Sequence, residues 1–339
     1  MTQTGRYNAL LSAVLVLIVL AGVCLLRVAL AQGQSTFSLS ATVLIDPRGT
    51  AYFSNPDGAI TAVRLDSGVQ LWTTPKGKAY RPLAIAGKFL VTMQEEAGPK
   101  TGKHLGVAFL QLVDGGEHLV NWIELPAGAW ASVKDGLGSS LRMSAAIGSG
   151  DRVTVAWASE SQPKVRGIAP DDEDAANLSA RNAQAEVHSG AAEFDLSGRV
   201  LPLSSGVDST QLLQSARQDL PEDQRLKGLP EAQYISADGR HILVSEMTGN
   251  DRDLNQYRWT IYPAGTREPI GVIASPFPTA YFFVSGSTLI YQLRPFMVRD
   301  ASGKMVRSPL KLVAVDLRSG GKLWEHQVLD TAYYGPFPQ

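Results

Sequence analysis

The sequence predicts an all-β fold of about five four-stranded units, preceded by one apolar helix. Three observations carry that expectation: a phrase repeated near the two ends of the chain, ten glycine-bearing turns in regular order, and an unbroken apolar run confined to the first thirty residues. The phrase weighs most. Ala62-Val63-Arg64-Leu65-Asp66-Ser67-Gly68-Val69-Gln70-Leu71-Trp72 returns as Ala314-Val315-Asp316-Leu317-Arg318-Ser319-Gly320-Gly321-Lys322-Leu323-Trp324, with seven of eleven positions identical. Self-similarity between distant segments marks a repeat architecture, whose units bury their apolar faces against one another.

Residues 1–31 come first in the chain. Arg6 precedes an apolar run from Ala9 to Leu26, followed by Arg27 and the small-residue pattern Ala29-x-Ala31. This reads as an export signal cleaved after Ala31. It reads equally as a transmembrane anchor through residues 9–28, since eighteen helical residues span roughly 27 Å against a hydrocarbon core of about 30 Å. Arg27 could then snorkel to the interface. Cys24, the only cysteine, opens lipidation as a third reading, although Val23 stands where a small residue is expected. All three place residues 33–339 outside the cytoplasmic membrane, in the periplasm or at the cell surface, anchored or secreted.

From Phe37 onward the same pattern passes five times, with units at 37–77, 78–127, 139–204, 230–275 and 278–329. Each unit has a first tight turn: Asp46-Pro47-Arg48-Gly49, Ala86-Gly87-Lys88, Gly148-Ser149-Gly150-Asp151, Ala237-Asp238-Gly239-Arg240 and Ser285-Gly286-Ser287. Each has a second: Asp66-Ser67-Gly68, Asp114-Gly115-Gly116, Leu196-Ser197-Gly198, Pro263-Ala264-Gly265 and Ser319-Gly320-Gly321. Short β-branched and aromatic runs such as Ala51-Tyr52-Phe53-Ser54 and Thr288-Leu289-Ile290-Tyr291 fill the spaces between them. Evenly spaced strands with such turns read as antiparallel sheets. Five four-stranded sheets set radially make a β-propeller over 37–329, which leaves few exposed sheet edges. Residues 330–339 form a tail. The 94–104 and 294–308 stretches are expected as long hairpin loops, 160–188 as an acidic insertion, and 205–229 as a connector with a short helix at Leu212, Leu213 and Ala216.

The phrase Gly49-Thr50-Ala51-Tyr52-Phe53 … Asp57-Gly58-Ala59-Ile60-Thr61-Ala62-Val63 … Ser67-Gly68 … Leu71-Trp72 resembles the PQQ-type propeller repeat of the quinoprotein dehydrogenases and their non-enzymatic relatives. Residues 310–324 look like a second copy. The resemblance implies structural roles for Gly49, Gly58, Gly68, Trp72, Gly320 and Trp324, with each Trp packed between neighbouring blades, and suggests Trp122 as a docking Trp in the second unit. It also implies what an enzyme of the family needs: eight blades, a vicinal cysteine pair over the quinone, and a Glu/Asn/Asp calcium set. This chain has no cysteine after Cys24 and is too short for eight such blades, so neither a quinone nor any other cofactor is expected. The family includes a non-enzymatic scaffold of the outer-membrane β-barrel assembly machinery, and the present sequence reads as belonging to that non-enzymatic branch.

Other chemistry is weakly represented. The five histidines, His104, His118, His188, His241 and His326, are scattered singly, with no pair at metal-ligand spacing. No nucleophile elbow or phosphate-binding loop is found. Asp251, Asp253 and Asn255 space three oxygen ligands as a calcium loop would, without its glycine or its bidentate glutamate. Asp171-Asp172-Glu173-Asp174 reads as a solvated acidic loop, and Asn177-Leu178-Ser179 matches a glycosylation sequon. With a formal net charge of −1, the chain offers no phosphate-tracking surface, so nucleic acid is not an expected partner. The expectation is an extracytoplasmic binding scaffold, not an enzyme, whose loops hold envelope or membrane proteins. A module sensing a small ligand or ion, or an enzyme without a sequence motif, is the alternative.

Overall fold

The computed structural model describes residues 36–40, 42–46, 48–78, 81–95, 104–124, 140–147, 152–160, 187–203, 220–251 and 254–330. The whole N-terminal segment 1–35, with Cys24 and Ala31, lies outside these residues, as do Asp171–Asp174 and Asn177. Among the described residues no helix is long and apolar enough to cross a membrane. Residues Thr36–Gln339 form one compact unit.

That unit is all-β. Sheet A holds β1 (Phe37–Ser40), β2 (Val43–Asp46), β3 (Thr50–Ser54), β4 (Ile60–Arg64) and β5 (Gln70–Thr73). Sheet B holds β6 (Arg81–Ala86), β7 (Phe89–Glu95), β8 (His104–Gln111) and β9 (Glu117–Glu124). Sheet C holds β10 (Ser140–Ile147), β11 (Arg152–Glu160), β12 (Val187–Asp195) and β13 (Val200–Leu201). Sheet D follows with β14 (Gln233–Ile235), β15 (His241–Asp251), β16 (Leu254–Pro263) and β17 (Gly271–Ser275). Sheet E consists of β18 (Phe282–Ser285), β19 (Thr288–Leu293), β22 (Lys311–Asp316) and β23 (Lys322–Gln327), with a two-stranded ribbon, β20 (Met297–Arg299) and β21 (Met305–Arg307), inserted between its middle strands. Every pairing is antiparallel and follows chain order.

Each sheet falls within one of the five sequence units. Two details differ. The first sheet has five strands, because Phe37–Ser40 adds to the edge of Val43–Asp46. That extra strand reaches the last sheet: Phe37 stacks on Phe283 at 5.6 Å, and Gln292 Nε2 donates to Ser40 Oγ at 3.2 Å. The helix expected at Leu212, Leu213 and Ala216 lies outside the described residues; beyond it the connector has one 3-10 turn at Glu222–Gln224.

Alternation sends successive side chains to opposite faces of a strand, so each sheet contributes to two cores. Sheet A packs on sheet E through Val43, Ile45, Phe53, Val63, Leu312 and Ala314. Its other face packs on sheet B through Leu44, Tyr52, Ile60, Leu90 and Leu110. Sheets B and C meet through Phe89, Phe109, Val153 and Phe194, and sheets D and E through Leu243, Trp259, Phe282 and Val313. The last sheet therefore closes on the first.

Antiparallel order also sorts the connections into two ends. Among the described residues, the β2–β3, β4–β5, β6–β7, β8–β9, β12–β13, β14–β15, β18–β19 and β22–β23 turns share one end and are short, while the β16–β17 connection at that end is longer, through residues 264–270. The loops between second and third strands share the other end with the links between sheets.

Candidate functional site

At the tight-turn end, one device joins the sheets. Trp72 pairs with Ala62, and Trp324 with Ala314, each beside a bulge in which Leu71 or Leu323 is the extra residue of the last strand. Trp72 Nε1 donates to Leu112 O of sheet B at 2.8 Å, and Trp324 Nε1 donates to Leu65 O of sheet A at 3.0 Å. Each indole lies on a turn glycine. A Cβ on Gly115 would stand 2.5 Å from Trp72 Cε3, and one on Gly68 would stand 2.4 Å from Trp324 Cγ. Both glycines hold φ near +70° (72° and 67°), so glycine is required there for conformation and for space. Gly49, Gly58 and Gly320 also have positive φ, but Gly49 has open space around it.

Register locates the same position in the other sheets. In sheet B it is Leu119, which pairs with Phe109 beside the same bulge and touches the Gly198 turn of sheet C. Its neighbour Asn121 donates to Gly198 O. Trp122, the residue suggested by sequence, is not the docking residue: it lies across Gly106 and is 45% exposed. In sheet D the position is Gly271, whose missing side chain lets the backbone close on Leu317 of sheet E. In sheet C it is Leu201, opposite Glu193.

The other end carries the distinctive surface. In sheet A the second and third strands stop at Ser54 and Ile60, whereas in sheet D β15 and β16 run eleven and ten residues. The extra length projects a hairpin of about six residues a side, roughly 20 Å at 3.4 Å per residue. Trp259 roots it, fully buried, with Nε1 donating to Phe277 O at 2.8 Å and the ring edge-on to Tyr291. The β20–β21 ribbon of sheet E is rooted beside it. Phe296 meets Phe277 edge-on at 5.7 Å, and the Arg294 guanidinium sits over the Phe277 ring while donating to Thr279 O. Burial lowers the pKa of Arg294 and pushes the phenols of Tyr52 and Tyr291 up to about 12.

Above these roots the hairpins present Met247, Met297 and Met305, each 45% to 56% exposed. Arg258 is paired with Glu246 across the first hairpin. The ribbon repeats Met-Val-Arg on both strands, in register Met297↔Arg307 and Arg299↔Met305, so its outer face alternates thioether and guanidinium. Residues 294–308 carry Arg294, Arg299, Lys304 and Arg307 against Asp300 alone. The sequence predicts a long hairpin over 294–308, and a hairpin stands there; the twice-written Met-Val-Arg is the visible signal of its surface.

The proposed calcium residues fall at the tip of the first hairpin. Asp251 pairs with Leu254, Asn255 pairs with Asn250, and Asp253 lies outside the described residues. Asn255 Nδ2 donates to Tyr257 Oη at 3.5 Å. Among the described residues no three His, Cys, Asp or Glu side chains gather as a metal site would require. The histidines stay apart: His118 stacks on Phe89, while His326 packs against Phe53 and Trp324 and contacts Gly68 O.

No family model and no curated protein matches the chain. Among solved structures it is similar to BamB from Moraxella catarrhalis, at 13% identity and a TM-score of 0.28, over 84% of this chain and 63% of that one. It is also similar to the quinohemoprotein alcohol dehydrogenase ADHIIG from Pseudomonas putida, at 10% identity and a TM-score of 0.23, over 83% of this chain and 57% of that one. A eukaryotic initiation factor gives 10% identity and a TM-score of 0.29, over 83% and 85%. The chain thus spans about three fifths of the BamB and dehydrogenase chains. None of these likenesses assigns a residue or an activity to it.

Proposed function

We propose that the protein is a five-bladed propeller of the PQQ-like type, acting in the cell envelope as a non-enzymatic scaffold that binds another protein through the Met–Arg hairpin face of sheets D and E. The observation that carries this reading is the pair of neighbouring hairpins, rooted in Trp259, Phe277 and Phe296, whose exposed faces carry methionine and arginine. Methionine adapts its shape to a partner, and arginine offers both stacking and bidentate hydrogen bonds. Both are enriched where proteins meet. The roots are rigid, so the face is presented in one geometry. Sheet A packed on sheet B, sheet B on sheet C, sheet D on sheet E, and the last sheet on the first support the propeller. Export or anchoring through residues 1–31, and binding roles for the structural glycines and tryptophans being absent, belong to the same reading.

The test is a pull-down of the full-length chain from solubilised envelopes, with intact-mass and N-terminal analysis of the bait. The triple variant Met247→Ser, Met297→Ser, Met305→Ser is run beside it. The expected result is a stoichiometric envelope protein held by the unaltered chain and reduced at least tenfold in the variant, whose melting temperature stays within a few degrees. A partner retained equally by both, or none at all, overturns the reading.

A further inference from the structure

The seam between sheets C and D differs from the others. Where sheet A presents Tyr52, Ala62 and other apolar residues to the next sheet, sheet C presents Thr154, Ala156, Ala158 and Glu193, the last paired with Arg152. The opposing face of sheet D, Ile242, Val244 and Tyr262, is covered by the chain's own segment 220–229, through Leu220, Leu226 and Leu229. Gln233, almost fully buried, fastens that segment: Leu226 N donates to its Oε1 at 2.8 Å, and its Nε2 donates to Leu226 O and Pro230 O at 3.0 Å. Arg267 Nη2 adds a bond to Lys227 O at 2.7 Å.

Between this segment and the turn of sheet D lies a cleft of about 450 Å³. Its inner wall includes Ala264 and Gly265. Ala264 is the register equivalent of the carbonyls that receive Trp324 and Trp72. Ala264 N donates to Arg240 O, as Leu65 N does to Gly49 O and Leu112 N to Lys88 O. Yet a Cβ on Gly265 would meet nothing within 4 Å among the described residues, whereas one on Gly68 or Gly115 would strike an indole. Leu226 and Ile242 floor the cleft, and Arg225, Lys227 and Arg267 rim it against one carboxylate, Asp223.

We propose that this cleft is a docking site for an acidic segment of a partner protein bearing a tryptophan, whose indole takes the seat on Ala264–Gly265 that Trp72 and Trp324 take in sheets B and A. The apolar floor and the turn supply the seat, and the three rim cations select acidic flanks. The volume falls in the range of about 300–1,000 Å³ usual for small recognition pockets. The site is at the end opposite the Met–Arg hairpins and stands without them.

The experiment titrates the full-length protein with a capped pentapeptide of one tryptophan between pairs of glutamates, followed by tryptophan-sparing NMR or calorimetry. Saturable binding is expected, weakened at least tenfold when the peptide tryptophan becomes alanine, and at least fivefold by Lys227→Glu. Ala264→Trp, which fills the seat from within, should abolish binding while leaving the melting temperature unchanged. The triple methionine variant should bind the peptide normally, which separates failure of this site from failure of the hairpin face. Equal binding of the alanine peptide, or no saturation, overturns the proposal. A photoreactive residue at position 264 that crosslinks to residues 204–219 of its own chain also overturns it, by showing a different occupant.

Discussion

The seam joining sheet E to sheet A and the face where sheet D looks toward sheet C solve the same packing problem in opposite ways. At the first, Trp324 is 8% exposed, its indole is hydrogen-bonded to Leu65 O, and Gly68 is pressed against the ring. At the second, a connector held by Gln233 covers the face of sheet D, and a Cβ on the turn glycine Gly265 would meet nothing within 4 Å among the described residues. A large aromatic between two sheets buries about 150–250 Å² and locks their spacing. A strapped connector covers apolar surface without locking it to a neighbour. Sheets E and A are therefore joined firmly through Trp324, while the outer face of sheet D is covered by the chain's own connector.

The sharpest way to break this comparison is to put the same side chain on the two equivalent turns. Gly68→Val sets a branched Cβ into Trp324 at a positive φ and is expected to cost more than about 4 kcal/mol, which prevents folding of a marginal chain. Gly265→Val meets only the backbone penalty, about 1–2 kcal/mol. Chemical denaturation of both variants decides the matter; equal midpoints would mean the two seams are alike.

A second, smaller effect separates the tryptophans. Trp324→Ala or Trp72→Ala should cost roughly 3–5 kcal/mol, as for other large buried aromatics. Trp122→Ala, at a half-exposed position, should cost less than about 1 kcal/mol. If Trp122→Ala proved as damaging as Trp72→Ala, the assignment of Leu119 and Asn121 to the B–C seam would fall.

The smallest effect belongs to His241, on sheet D beside the cleft. Burial lowers its pKa, with Arg240 adding to the shift and Asp238 opposing it. The unfolded chain therefore binds this proton more readily than the folded one. Stability should be full above the ordinary histidine value of about 6.5 and decline as pH falls below it toward the lowered folded value. Melting curves from pH 7.5 to 5.5 should show this decline in the unaltered protein and a shallower one in His241→Gln. Identical slopes would remove His241 from the account.

Much of the fold was legible because its turns are chemical. Positive-φ corners select glycine, so Gly68, Gly115, Gly198 and Gly286 wrote the strand boundaries into the sequence. The indole seats were legible at Trp72 and Trp324, where phrase and residue coincide. At the B–C seam they were not, because the docking position is set by a bulge between Phe109 and Leu110, and a bulge leaves no composition signal. Trp122, three residues further on, was the conspicuous residue and the wrong one. The Met–Arg face escaped for another reason: exposed strands of three residues carry no burial pattern, and their meaning lies in the pairing Met297↔Arg307 and Arg299↔Met305.

Closure of the last sheet on the first sets the order in which this protein can be made. Among the described residues, the face of sheet A built from Leu39, Val63 and Leu65 is covered chiefly by Phe283, Ile290, Leu312, Ala314 and Trp324 of sheet E, and the Trp324–Leu65 bond spans 259 residues. At ribosomal speeds of about 5–20 residues per second, that face stays uncovered for on the order of 10–50 seconds after its own synthesis. Such a nascent chain has an adhesive surface for as long as translation lasts, and any premature stop before sheet E leaves it adhesive permanently.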